Sequence, residues 1–112
     1  MIIISAQLWK LDGNTLLNKE GMWMSDEKWT FKTFFRFICI ENINKTKVLG
    51  TKNNSKVILK NFEENKPEQL WKKGEPNAEG YFTLENFKGS EVMTATSSTT
   101  LELKGKINKH TT

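Results

Sequence analysis

The sequence predicts a single all-β domain, residues 1–112, built on a threefold internal repeat. Three observations carry this. The chain matches itself without gaps at an offset of 44 residues, apolar and polar residues alternate in short runs bounded by turn residues, and no long amphipathic helical window interrupts them. A chain of 112 residues suits one domain, and four Trp and seven Phe supply large burial per residue, which favours folding over disorder.

The repeat defines the elements. FICIEN (residues 37–42) matches YFTLEN (residues 81–86), both alternating as half-buried strands and both ending in Glu-Asn. At the same offset Val48 meets Val92, Leu49 meets Met93, Val57 meets Leu101, Leu59 meets Leu103 and Lys60 meets Lys104. A weaker copy lies at the start. Leu16 to Asn18 aligns with Ile40 to Asn42, MWMS (22–25) with VLGT (48–51), and WTFK (29–32) with VILK (57–60). Each copy reads as three short strands joined by polar turns such as Asn53–Ser55 and Lys88–Ser90. A fourth element is Gln-Leu-Trp, at Gln7–Trp9 and again at Gln69–Trp71, each followed by a turn. Residues 63–73 are the best helical candidate, but Pro67 and Gly74 limit it to about one turn.

Three copies of a four-strand unit carrying Gln-x-Trp resemble the β-trefoil, specifically the ricin B-type (QxW) lectin-like family. The resemblance covers nearly the whole chain. It implies 11 or 12 strands, with repeats at about 10–33 (short), 34–77, and 78–112 completed by 1–9. The register is shifted. The chain opens on a fourth strand (2–9) and ends just after a third (101–104), so its ends should meet between strands three and four of one unit. The first copy lacks a Gln-x-Trp, so the run 33–42 is expected to serve as the fourth strand of one copy and the first of the next. Other readings of the shifted register are a fragment of a longer protein, or strand exchange between subunits.

The resemblance also implies function: non-enzymatic binding of a carbohydrate or glycoconjugate. In the family an Asp after the Val-Leu pair, an aromatic on the third strand and an Asn before the Gln of QxW hold the sugar. In the middle copy these positions are Gly50, Lys60 and Glu68, and only Gln69 is kept. The site is therefore divergent, with Lys60, Phe62, Glu64, Asn65, Glu68 and Gln69 as candidate ligand-binding residues and Glu63 in the same loop. The loop residues also read as an ordinary polar loop with one partly buried Phe. Lys32, Lys60 and Lys104 align in the three copies, which suggests either solvated strand ends or a patch that meets anionic glycans. A scaffold for protein–protein interaction or inhibition is the alternative.

The remaining chemistry points away from catalysis. The single histidine, His110, lies at the C-terminus, so a His-based triad or metal site is not expected, and neither is a cofactor. Glu41 and Glu85 are repeat-equivalent, which explains them as strand-end architecture and not as a hydrolytic carboxylate pair. All four Trp are expected in the core. Cys39 sits in an apolar run and reads as a buried thiol, with no partner in the chain for a disulfide. The net charge of +4 comes from lysines spread along the chain, with no stripe for specific nucleic-acid binding. No run is long enough to insert in a membrane, and the apolar start is too short for a signal peptide. A reducing, cytoplasmic setting and a monomer or homodimer are the expectations.

Overall fold

The computed structural model describes residues 2–53, 55–106 and 108–109, with side chains for those between 4 and 106. His110 lies outside the described residues. The architecture is all-β. Strands β1 (Ile2–Ile3), β2 (Trp9–Asp12), β3 (Thr15–Asn18), β4 (Trp29–Phe34), β5 (Phe37–Asn42), β6 (Lys47–Lys52), β7 (Lys56–Asn61), β8 (Trp71–Lys73), β9 (Leu84–Asn86), β10 (Glu91–Ala95), β11 (Leu101–Gly105) and β12 (Asn108–Lys109) are joined by turns and two 3-10 turns, Ser5–Gln7 and Pro67–Gln69. Every pairing is antiparallel. Eight strands form one sheet in the order β4-β5-β6-β7-β11-β10-β9-β8, with β5 also meeting β8. No described helix is long and apolar enough to cross a membrane.

Three tryptophans open strands in like surroundings. Trp9 lies opposite Asn18, Trp29 opposite Asn42, and Trp71 opposite Asn86. Each tryptophan also bonds backward to the start of its own unit. Trp9 N–H donates to the Phe82 carbonyl and Trp29 N–H to the Asn14 carbonyl, both at 2.8 Å, and Trp71 bridges Ile38. The pairings run β4-β5-β8-β9, and backbone contacts of Trp29 with Asn14 and of Trp9 with Phe82 join the separate β2-β3 hairpin to them. The indoles point inward, with Trp9 and Trp71 at 0 % exposure, among Leu16, Ile40, Leu84 and Met93.

The two Gln-Leu-Trp segments make the same bonds to repeat-equivalent carbonyls. Gln69 Nε2 donates to the Asn61 carbonyl and Gln7 Nε2 to that of Gly105, at 2.8 and 2.9 Å. Trp71 Nε1 donates to the Leu49 carbonyl and Trp9 Nε1 to that of Met93, at 3.0 and 2.9 Å. Gly105 and Met93 follow Asn61 and Leu49 by the 44-residue offset read in the sequence. Gln7 and Trp9 thus bond to the last strands as Gln69 and Trp71 bond to β6 and β7, and β1 pairs with β12.

The first copy differs from the sequence reading. Trp29–Phe34 was expected as a third strand, aligned with Val57; Trp29 instead faces Asn42 as Trp71 faces Asn86 and Trp9 faces Asn18. MWMS forms no strand, and residues 19–28 cross irregularly where the other copies place the hairpins β6–β7 and β10–β11. Lys32 faces Cys39 in the β4–β5 pair, whereas Lys60 and Lys104 face Val48 and Val92, so it is not equivalent to them. Trp23 fills the space under the missing hairpin, edge-on to Trp9 with centroids 5.4 Å apart and 6.4 Å from Trp29. Glu27 holds the crossing in place, accepting from Asn42 Nδ2 and pairing with Lys45 at 2.8 Å; these bonds keep its carboxyl below the ordinary carboxylate value. The opening fourth strand is likewise confined to Trp9–Asp12, since residues 5–7 are a 3-10 turn.

The run 33–42 is not one continuous strand. β4 and β5 form a hairpin with Phe35 and Arg36 as its two-residue turn. Phe35 has φ of 58° and is 100 % exposed, in a first turn position where glycine is favoured. Left-handed backbone costs a non-glycine residue roughly 1–2 kcal/mol. Phe35→Gly is therefore expected to raise stability by about 1 kcal/mol, measured as a higher urea midpoint with an unchanged slope. A lower midpoint would mean the ring makes compensating contacts in the folded chain.

Candidate functional site

The middle-copy site predicted from the sequence is packed shut. A side chain at Gly50 would meet Lys60 Cδ at 2.9 Å, with Gln69 Cγ and the Glu68 carbonyl at 3.3 Å. The Lys60 stem occupies that space, and its ammonium donates to the Thr51 carbonyl at 3.1 Å. Gln69 is buried, with both ends of its amide committed: Nε2 to Asn61, and Oε1 accepting from Glu63 N–H at 3.0 Å. The buried amide joins the 3-10 turn to the end of β7.

The other predicted residues separate. Glu64 and Asn65 sit on an exposed turn, Asn65 with φ of 59°. Phe62, 43 % exposed, stacks on Phe34 with centroids 5.9 Å apart, so it faces the β4–β5 hairpin. Glu68 lines a groove beside the Pro67–Gln69 turn. That groove has a volume of about 320 Å3, at the lower end of the roughly 300–1,000 Å3 typical of small-ligand sites. Glu68, Pro67 and Leu70 form one wall; Asn86, Phe87, Lys88, Ser90 and Glu91 form the other, with Thr51 and Leu103.

Local structure presents these groups. The Asn86 carbonyl oxygen of the side chain accepts from Ser90 and Glu91 N–H, both at 3.2 Å, which fixes the turn after β9 and leaves its NH2 as a donor. Asn42 holds its own turn through Lys45 N–H, which explains the repeated Glu-Asn as turn architecture. Phe87 is 45 % exposed and leans on Phe37, with centroids 5.0 Å apart and planes inclined 32°. One ring, the carboxylates of Glu68 and Glu91, one amide and the Ser90 hydroxyl thus border a single groove. Phe87, Ser90 and Glu91 were missed in the sequence because they belong to the next repeat; the self-match treats each copy separately.

Glu41 and Glu85, set aside as strand-end residues, are ion-paired: Glu41 with Lys32 at 3.2 Å and Glu85 with Lys106 at 2.7 Å. Cys39 is buried, which pushes its thiol above the ordinary value. A comparison of the chain with family models, curated proteins and solved structures gives no match to any of them.

Proposed function

We propose that the chain is a β-trefoil of the ricin B type acting as a non-enzymatic carbohydrate-binding module, with a sugar held in the groove between Glu68 and Phe87. The observation that carries the reading is the threefold set of Trp–Asn junctions, two of which bear the same Gln and Trp hydrogen bonds to repeat-equivalent carbonyls. The groove chemistry suits the ligand class. Carboxylates and an amide take vicinal hydroxyls, and a half-exposed ring covers the C–H face of a pyranose.

The test is a neutral-glycan array followed by titration of the best binder. Phe87→Ala is expected to weaken binding about three- to tenfold, the range of one lost ring contact, with the melting curve little changed. A folded protein that binds no neutral glycan would overturn the reading.

A protein-interaction scaffold is the second reading, favoured by the hairpin tip. Phe34 and Phe62 are stacked yet 39 % and 43 % exposed, beside the fully exposed Phe35. Partners retained in the presence of free sugars and lost with Phe35→Ala would favour it over the sugar reading.

A further inference from the structure

A second basin lies on another face of the domain, with a volume of about 680 Å3. It is bordered by Lys19, Lys72, Lys73, Lys106, Tyr81 and Thr83. Lys10 reaches its rim, donating to the Glu79 carbonyl at 3.2 Å. Five lysines therefore converge from β2, the turn after β3, β8 and the end of β11. Glu75, Glu79 and Glu85 stand among them. The local excess is positive, and Lys72 and Lys73 form no ion pair among the described residues.

The basin is preorganised. Asn77 Oδ1 accepts from Glu79 and Tyr81 N–H, both at 3.0 Å, and Asn77 N–H donates to the Tyr81 carbonyl at 2.8 Å. This turn holds Tyr81 with the ammoniums of Lys10 and Lys19 over its ring, 5.6 and 5.9 Å from the centroid. Glu79 anchors Lys19 at 2.7 Å, and that bond lowers the Glu79 pKa. Lys73 is drawn over Phe82, at 4.7 Å.

On the basin lining sits an unused polar group. Thr83 is 5 % exposed, and its hydroxyl makes no hydrogen bond to a described residue. It lies against Gly74, where any Cβ would collide with its oxygen. The hydroxyl can bond a ligand oxygen in the basin.

We infer that this basin binds an acidic sugar, one carrying a sulfate or carboxylate group, at a site separate from the groove at Phe87. The anion sits by Lys72 and Lys73, and the sugar hydroxyls meet Thr83, Asn77 and the interleaved glutamates. Those carboxylates favour a sparsely charged sugar over a nucleic-acid backbone with a phosphate at every residue. The ring of Tyr81 also carries lysine ammoniums, so it is a poor stacking platform for a base.

The experiment is calorimetric titration of the full chain with a sulfated tetrasaccharide, its desulfated counterpart, and a single-stranded tetranucleotide. The sulfated sugar is expected to bind, more tightly than either of the others. The double variant Lys72→Ala/Lys73→Ala weakens it about tenfold or more, as loss of charge-assisted bonds does. Lys52→Ala/Lys56→Ala, the same charge change on the exposed β6–β7 hairpin, alters it about twofold at most. Thr83→Val, of the same shape, weakens it severalfold while the melting curve stays in place. Equal losses in both lysine pairs would reduce the effect to net charge and overturn the site. Tighter binding of the oligonucleotide would overturn the ligand class. Phe87→Ala leaves this binding unchanged, so failure of the neutral-sugar groove and failure of the basin are told apart; loss of sulfated-sugar binding in Phe87→Ala would overturn their independence.

Discussion

Trp29→Ala is expected to destabilise the domain by about 3–5 kcal/mol, the cost of truncating a large buried aromatic, and by as much as Trp9→Ala or Trp71→Ala. The three residues hold one structural position. Each is buried, each faces an Asn across a strand pair, and each links the end of its unit to that unit's first strand. Trp29 also supports Trp23, which fills the space under the missing hairpin. Against a total of about 5–15 kcal/mol for a domain, such a loss leaves a large unfolded fraction. Val57→Ala is the control, since Val57 is the residue with which Trp29 aligns in sequence. Two methyl groups lost from a third strand cost about 2 kcal/mol. Urea unfolding of the variants measures both. A Trp29→Ala cost no larger than that of Val57→Ala would return Trp29 to a peripheral strand and sink its equivalence with Trp9 and Trp71.

Gln69→Leu comes next, at about 2–3 kcal/mol. Leucine nearly matches the volume but strands the Asn61 carbonyl and the Glu63 N–H, both of which end on this one buried amide. The prediction separates architecture from ligand binding. A structural Gln69 lowers the urea midpoint and leaves the sugar affinity of the folded fraction unchanged. Normal stability with lost affinity would instead restore Gln69 to a binding role. Gln7→Leu serves as the second instance, because Gln7 reaches the Gly105 carbonyl in the same way and adds Thr94 Oγ1 at 3.2 Å.

Much of the fold was legible because a repeat reports geometry directly. Residues 44 apart carry the same pattern, and their backbone carbonyls accept the same side-chain donors. The hairpins β6–β7 and β10–β11 follow from alternating runs around polar turns. The two Gln-Leu-Trp segments marked the two strands that open on their tryptophans, β2 and β8. The third was hidden. Trp29, Phe31 and Thr33 alternate with polar neighbours in either a third or a fourth strand, since a period of two reports which face a residue takes and not which strand it pairs with. Identity of the strand depends on Asn14 and Asn42, which meet Trp29 from two other places in the chain.

The functional side was less legible for a similar reason. A motif aligned within one repeat predicts a site within that repeat. Here the stem of Lys60 fills the expected place, a contact that depends on Gly50 lacking a side chain. The groove that Glu68 does line borrows its other wall from the following unit. The lysine pattern shows the contrast most clearly. Lys32, Lys60 and Lys104 align in one dimension but do not form one set in space. Lys10, Lys19, Lys72, Lys73 and Lys106 have no shared spacing, yet they surround one basin.

The amino-acid sequence by itself determined the all-β class, the 44-residue repeat, the buried tryptophans and turns such as Lys88–Ser90. These depend on local alternation, turn chemistry and side-chain size, which act over a few residues at a time. Only the tertiary structure decided which unit lost its hairpin, which Gln and Asn side chains are spent on backbone partners, and where the charges gather. Those outcomes depend on contacts between segments as distant as Gln7 and Gly105, whose pairing energy exists only once the chain has folded.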